Sequence, residues 1–179
     1  MHDILGKFAI IFFGIPLMFY FAITFIAVKM DNTSQSYMDN AVVEFVDNAR
    51  ATAKITPEAY EDMYEKICAA HPMCEVKMIH SAKYVVPGEY DNTTGKYETI
   101  PYTEDFTTDY ILEKMYPGLY GYSSEEDYNY ILKEGDYFKV TVENTTPTLG
   151  GRLVGILLPS YNQQSLFTSY GGYVGNEAQ

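Results

Sequence analysis

With 179 residues the chain has room for one domain with a sizeable core plus an accessory segment, and its 47% hydrophobic and 20% charged residues exclude wholesale disorder. Asp3, Lys7 and Lys29 are the only charged residues before Met30, so the chain from Met30 onward carries 23 acidic and 10 basic side chains, a formal charge of −13 against −12 for the whole. A surface this acidic repels phosphate backbones and lacks the cationic contacts that dominate nucleic-acid affinity, which excludes nucleic acid as a partner.

Phe8 to Val28 is an uncharged run of 21 residues, FAIIFFGIPLMFYFAITFIAV. As a helix it measures about 31 Å, the thickness of a bilayer's hydrocarbon core, and it predicts a membrane anchor over residues 1–30 with the lipid bilayer as partner. The competing reading is a cleaved secretory signal. The run is longer than a signal core, however, and it ends in Ala27-Val28-Lys29 with no small-residue cleavage site. Lys7 and Lys29 flank it evenly, so orientation is read from the layout: a short tail ahead of a long hydrophilic region predicts a single-pass protein of the cytoplasmic membrane with its C-terminal domain outside. Pro16 removes one helical hydrogen bond in mid-run and predicts a kink, which membrane helices tolerate. The side chains expected to meet lipid or neighbouring helices are Phe8, Phe12, Gly14, Pro16, Phe19, Phe21 and Phe25.

Beyond the polar stretch Asp31–Ser36, apolar residues recur at Tyr37, Ala41, Val42, Phe45, Val46, Ala49 and Ala53, the spacing of one helical face. No glycine or proline separates this stripe from the anchor, so an amphipathic helix is expected to continue from the membrane segment, packing through Val42, Phe45, Val46 and Ala49. Thr56-Pro57-Glu58 is a helix start, with a capping hydroxyl, a proline at the first helical position and an acid near the positive end of the dipole. A second helix should run to about Ala70, with Ala59, Tyr60, Met63, Tyr64 and Ile67 turned inward. Residues 31–70 thus read as a helical stalk and second helix.

A β-rich part is expected over 71–159. Alternation begins at Cys74 and continues toward Val86, and Asp91-Asn92-Thr93-Thr94-Gly95 is a turn that folds Glu89-Tyr90 against Lys96-Tyr97. Short helices are predicted over Asp109–Met115 and Ser124–Lys133, the latter begun by the acids Glu125, Glu126 and Asp127. Asp136–Asn144 alternates with Phe138, Val140 and Val142 on one face. A turn over Thr145–Gly151 and an apolar strand over Arg152–Leu158 complete a predicted hairpin with it. Residues 160–179 have no clear period and read as a loosely ordered tail. The fold class is α+β: an N-terminal transmembrane helix continuing into an amphipathic helix, then a small antiparallel sheet with short helices.

Candidate chemistry is sparse. Cys68 and Cys74 flank a helix end and a strand start; outside the cytoplasm they could bridge as one short disulfide, the other reading being two buried free thiols. Cys68, His71, Cys74 and His80 are zinc-type ligands, but their spacing is no recognised finger and Pro72 interrupts it, so no metal is assigned. Asp91–Glu98 lacks the acids of a calcium loop, and Gly171-Gly172-Tyr173-Val174-Gly175 has no strand before it or helix after it. No nucleophile with a base and no phosphate-cradling loop is legible, so neither catalytic residues nor a cofactor is expected. Eleven of the 18 tyrosines lie between Tyr84 and Tyr137, either as a binding surface or as part of a small core.

An anchor that runs on into an amphipathic helix, then a small antiparallel sheet, resembles type IV pilin-like proteins. The wording DNTSQSYMDNAVVEFVDNARATAKITPEAYEDMYEKI, Asp31 to Ile67, is similar more narrowly to the TadE-like, pilin-like membrane proteins found with Tad-type pilus machinery of Firmicutes. The likeness covers roughly the first half of the chain. It implies a pilus or secretion-machine component that meets copies of itself or other pilin-like and assembly proteins through its hydrophobic helix. The broad group is processed after a glycine and carries a glutamate five positions into the mature chain; here Lys7 follows Gly6 and the fifth position is Ile11. That departure implies a minor or accessory subunit. The alternative is an anchored extracytoplasmic adhesion or ligand-binding module outside any filament.

Overall fold

The computed structural model describes residues 6–8, 10–91, 95–121, 128–158 and 166–175. A π-helical turn, Ile10–Gly14, leads into helix α1, Ile15–Thr52. The π turn lies immediately ahead of Pro16, where the sequence predicts a kink. Proline lacks the N–H that would close the regular ladder onto the preceding turn, and a wider turn there absorbs the loss. From Leu17 onward no glycine or proline interrupts the chain, and the helix passes from the apolar run into the amphipathic stretch without a break.

In its second half α1 buries Met38, Ala41, Val42, Phe45, Val46 and Ala49. Met38, not Tyr37, opens this stripe: Tyr37 is turned to solvent, because the spacing that places Val42 and Phe45 inward selects position 38. Ala53, at φ 51°, ends the helix in the left-handed region. Strand β1, Lys54–Ile55, comes next, and then helix α2, Pro57–Ala70, which Thr56 caps by accepting the Ala59 N–H at 3.1 Å. Thr56→Ala should cost about 1 kcal/mol, read as a lowered urea midpoint of the full chain in detergent.

Strand β2, Cys74–Asp91, and strand β3, Lys96–Thr107, form the expected hairpin, with Tyr90 opposite Tyr97 and Asp91 opposite Lys96; Asn92–Thr94 of its turn lie outside the described residues. The register slips between Pro87 and Tyr90, where proline cannot donate to the ladder. Helix α3, Thr108–Met115, buries Ile111 and Met115, and a 3-10 turn, Pro117–Tyr120, succeeds it.

The helix expected over Ser124–Lys133 is not found in its described part; residues 122–127 lie outside the described residues. Tyr130–Ile131 forms a short strand, β4, antiparallel to β1, and the Leu132 N–H extends the pairing to the Ala53 carbonyl at 2.9 Å. Tyr130 and Leu132 are buried while Ile131 between them is exposed, a period of two that the acidic run upstream obscures.

Strand β5, Tyr137–Asn144, agrees with its prediction, with Phe138, Val140 and Val142 fully buried. Its predicted partner does not. Leu149–Leu157 is a helix, α4, whose cap Thr148 accepts the Gly151 N–H at 3.0 Å. The strand that pairs with β5 is β6, Phe167–Tyr173, inside the stretch expected to be a loose tail. The four-stranded sheet runs β3-β2-β5-β6, antiparallel throughout. Gly171 is a requirement of the fit, and Gly172 lies against the Arg50 side chain. A Cβ on Gly171 would stand 2.8 Å from Lys139 Cβ and the Phe138 carbonyl, and one on Gly172 would stand 2.7 Å from the Arg50 guanidinium. Residues 159–165 and 176–179 of the expected strand end and tail lie outside the described residues.

The core lies between the second half of α1 and the sheet, closed by α2 and α3. Phe45 meets the Phe138 ring edge-on with centroids 6.0 Å apart, and Met63, Ile67, Met78, Ile111 and Met115 fill the space around them.

Candidate functional site

Before Met38, α1 leaves the sheet's core and most of its large apolar side chains are exposed. The helix Gly6–Thr52 is 47 residues long, and its most apolar window has a mean hydropathy of 2.3 with none of it buried, so it is long and apolar enough to cross a membrane. Phe12, Phe19 and Phe25 are 73%, 66% and 65% exposed, and Phe8 and Phe21 are exposed as well. Gly14 ends the π turn and Pro16 lies in the first turn of α1. A neighbouring helix has room to approach Gly14 closely, since only Ile10 lies near an added Cβ there, at 3.7 Å.

One face of this apolar half is covered by the chain itself. Tyr20, Thr24, Ala27, Val28 and Asp31 recur at helical spacing and are the less exposed residues there, because α4 packs on them. Gly150 allows the approach: a Cβ on it would stand 2.3 Å from Asp31 Oδ2 and 3.1 Å from the Val28 nitrogen. Thr148 Oγ1 donates to Asp31 Oδ2 at 2.6 Å, and the Tyr20 hydroxyl donates to the Leu153 carbonyl.

Further along, the polar residues of the junction hold β6. The Gln35 side-chain amide donates to the Phe167 carbonyl and to Thr168 Oγ1, both at 2.9 Å, while its oxygen accepts the Phe167 N–H at 3.0 Å. Thr168 also donates to Asp39, and Arg50 Nε donates to the Tyr173 carbonyl at 2.8 Å. In the sequence, Asp31–Ser36 reads only as a polar stretch. The signal within it is the spacing of Asp31, Gln35 and Asp39 at i, i+4, i+8, one polar line along the helix that meets a common neighbour.

A second polar cluster sits inside the domain. His80 Nε2 donates to Asp136 Oδ2 at 2.8 Å, since a carboxylate can only accept, and Nδ1 meets the Tyr130 hydroxyl at 2.8 Å. Asp136 also accepts the Lys133 and Lys83 backbone N–H groups at 2.8 and 3.1 Å. Burial by itself would raise the Asp136 pKa; the hydrogen bonds from His80, Lys133 and Lys83 outweigh it and hold the carboxyl below its ordinary 3.8. Burial, with the neighbouring Tyr110, Tyr84 and Asp136, pushes the Tyr130 hydroxyl up. With all three side chains buried and mutually satisfied, this is a clasp joining β2, β4 and the entry to β5.

His80 is therefore committed away from Cys68, His71 and Cys74. The two cysteines are half-buried free thiols in this structure, and Cys74 Sγ lies 3.9 Å from His71 Nδ1. Burial, then the charge of Cys68, pushes the Cys74 thiol up to about 11, so as a monothiol it is a weak nucleophile near neutrality. Among the described residues no group of three His, Cys, Asp or Glu could hold a metal ion.

The tyrosines divide between packing and surface. Tyr84 stacks on Tyr102 with ring centroids 5.3 Å apart, Tyr110 on Phe106 at 4.7 Å, and Tyr116 leans on Tyr60 at 6.4 Å. On the outer half of the β2–β3 hairpin, beyond the reach of β5, Tyr97 and Tyr102 are exposed together with Val85, Val86 and Ile100. No family model, curated protein or solved structure matches the chain.

Proposed function

We propose that this protein is a structural or accessory, minor pilin-like subunit of a type IV or Tad-like pilus or secretion assembly. Its N-terminal helix anchors it in the cytoplasmic membrane, with the acidic domain outside. The observation that carries the reading is the division of labour along one unbroken helix. The second half of α1 is built into the domain core, whereas the first half presents phenylalanines that the domain leaves uncovered. Such a helix suits two apolar surroundings in turn, lipid before assembly and the helices of neighbouring subunits within a filament.

Shearing intact cells and blotting both the filament fraction and the washed membranes tests the proposal. The protein is expected in the sheared filaments, in multimers that G14L disrupts by blocking close helix approach. A strictly monomeric protein confined to membranes would overturn it.

The exposed Tyr97, Ile100 and Tyr102 on the hairpin arm favour a second reading, a membrane-anchored adhesion or ligand-binding module. Loss of surface binding in Y102S with the filament fraction unchanged would favour that module.

A further inference from the structure

We infer that α4 is a second membrane-contacting element, embedded beside α1 in the leaflet on the side of the folded domain; this rests on the anchoring reading above. The helix has two unlike sides. Through Gly150 it lies against the α1 backbone, a glycine contact of the kind that lets helices approach closely in lipid. Away from α1, Leu149, Ile156 and Leu158 are 60%, 67% and 57% exposed, and Arg152 is the one charged residue on the helix. An outward face on which leucine and isoleucine flank a single exposed arginine is more apolar than a water-facing helix carries.

Its location identifies the occupant. The contacts Thr148–Asp31 and Leu153–Tyr20 run α4 antiparallel to α1, back along the apolar run. Tyr20 is eight residues inside Val28, or about 12 Å along the helix from the end of that run. The outward face of α4 therefore shares its depth with Ile23 and Ile26 of α1, themselves 54% and 58% exposed, and the same hydrocarbon covers both. The backbone suits this setting: it is helical, its first turn is capped by Thr148, and the Leu153 carbonyl receives the Tyr20 hydroxyl. The long stem of Arg152 lets its guanidinium reach the headgroups.

The chain contains no tryptophan, so a single one introduced at an exposed position reports its surroundings alone. The full chain is reconstituted in phosphatidylcholine vesicles carrying I156W, with L149W as a second reporter on α4. F19W serves as the reference in the anchor and L119W as the reference on the domain surface. Brominated phosphatidylcholine is expected to quench I156W and L149W within about twofold of F19W, while aqueous iodide quenches L119W only. Iodide quenching of I156W and L149W like that of L119W, with F19W still quenched by bromolipid, would overturn this inference and leave the anchor standing. Iodide quenching of F19W as well would remove the anchor reading itself. Protection of I156W from both quenchers, lost on dilution into excess lipid, would mean that a second copy covers α4, and would also overturn the inference.

Discussion

Phe138→Ala is expected to remove about 4 kcal/mol from the folding free energy, a large fraction of what a domain of this size possesses. Among the described residues Phe138 is the largest fully buried side chain, near the start of β5, opposite His80 on β2 and Gly172 on β6 in the sheet register. Its ring meets Phe45 of α1, so truncation opens a cavity at the contact by which the long helix holds the sheet. Because β-strand pairing fixes the backbone on both sides, the walls can collapse only partly. Phe138→Leu should lose about 1.5 kcal/mol, since most of the volume stays. The urea midpoint of the full chain in detergent, monitored by tyrosine near-ultraviolet circular dichroism, measures both. A midpoint for F138A equal to wild type would mean that helix and sheet are held together elsewhere.

Asp136→Asn should cost about 3 kcal/mol at neutral pH, although it alters little volume. Oδ2 of the carboxylate accepts from both His80 Nε2 and the Lys133 N–H. An amide can keep only one oxygen for the three donors now facing the side chain, so at least one buried donor is left facing an NH2 group or unpaired. The pH dependence has a definite sign. The carboxyl is held below 3.8 in the folded state, so its contribution is complete above the ordinary value and disappears as the pH falls through the depressed one. Wild-type stability should therefore drop on acidification below about pH 4, and the gap between wild type and D136N should narrow there. Parallel urea midpoints across that range decide it: a gap that stays constant would show that Asp136 carries no charge-dependent share of stability.

Which elements are legible in the sequence depends on how local their causes are. The unbroken passage from the apolar run into the stalk, the Thr56-Pro57 start of α2, the pairing of Tyr90 with Tyr97 and the alternation of β5 each depend on residues a few positions apart, and each can be read in order. The π turn ahead of Pro16 and the shift of the buried stripe from Tyr37 to Met38 are refinements of the same kind. The errors lie where a segment's neighbour is distant in sequence. Leu149–Leu157 is apolar enough for strand or helix, and nothing within it reveals that Gly150 will be seated against Ala27, Val28 and Asp31, more than a hundred residues earlier. Gly171 suggests looseness in the sequence because its reason, the close backbone of β5, is supplied by another element.

The same division holds for the candidate site. The sequence by itself determined that the first part of the chain is a long, uncharged, phenylalanine-rich helix continuing into an amphipathic one, because hydrophobicity and helical period are properties of neighbouring residues. Only the tertiary structure decided which side of that helix stays bare and which is covered by α4. It also decided that Asp31, Gln35 and Asp39 fasten the C-terminal segments and that His80 is used by Asp136 and Tyr130 in the core rather than near the cysteines. Those outcomes depend on contacts between residues far apart in the chain, whose geometry exists only once the sheet has closed on the helix.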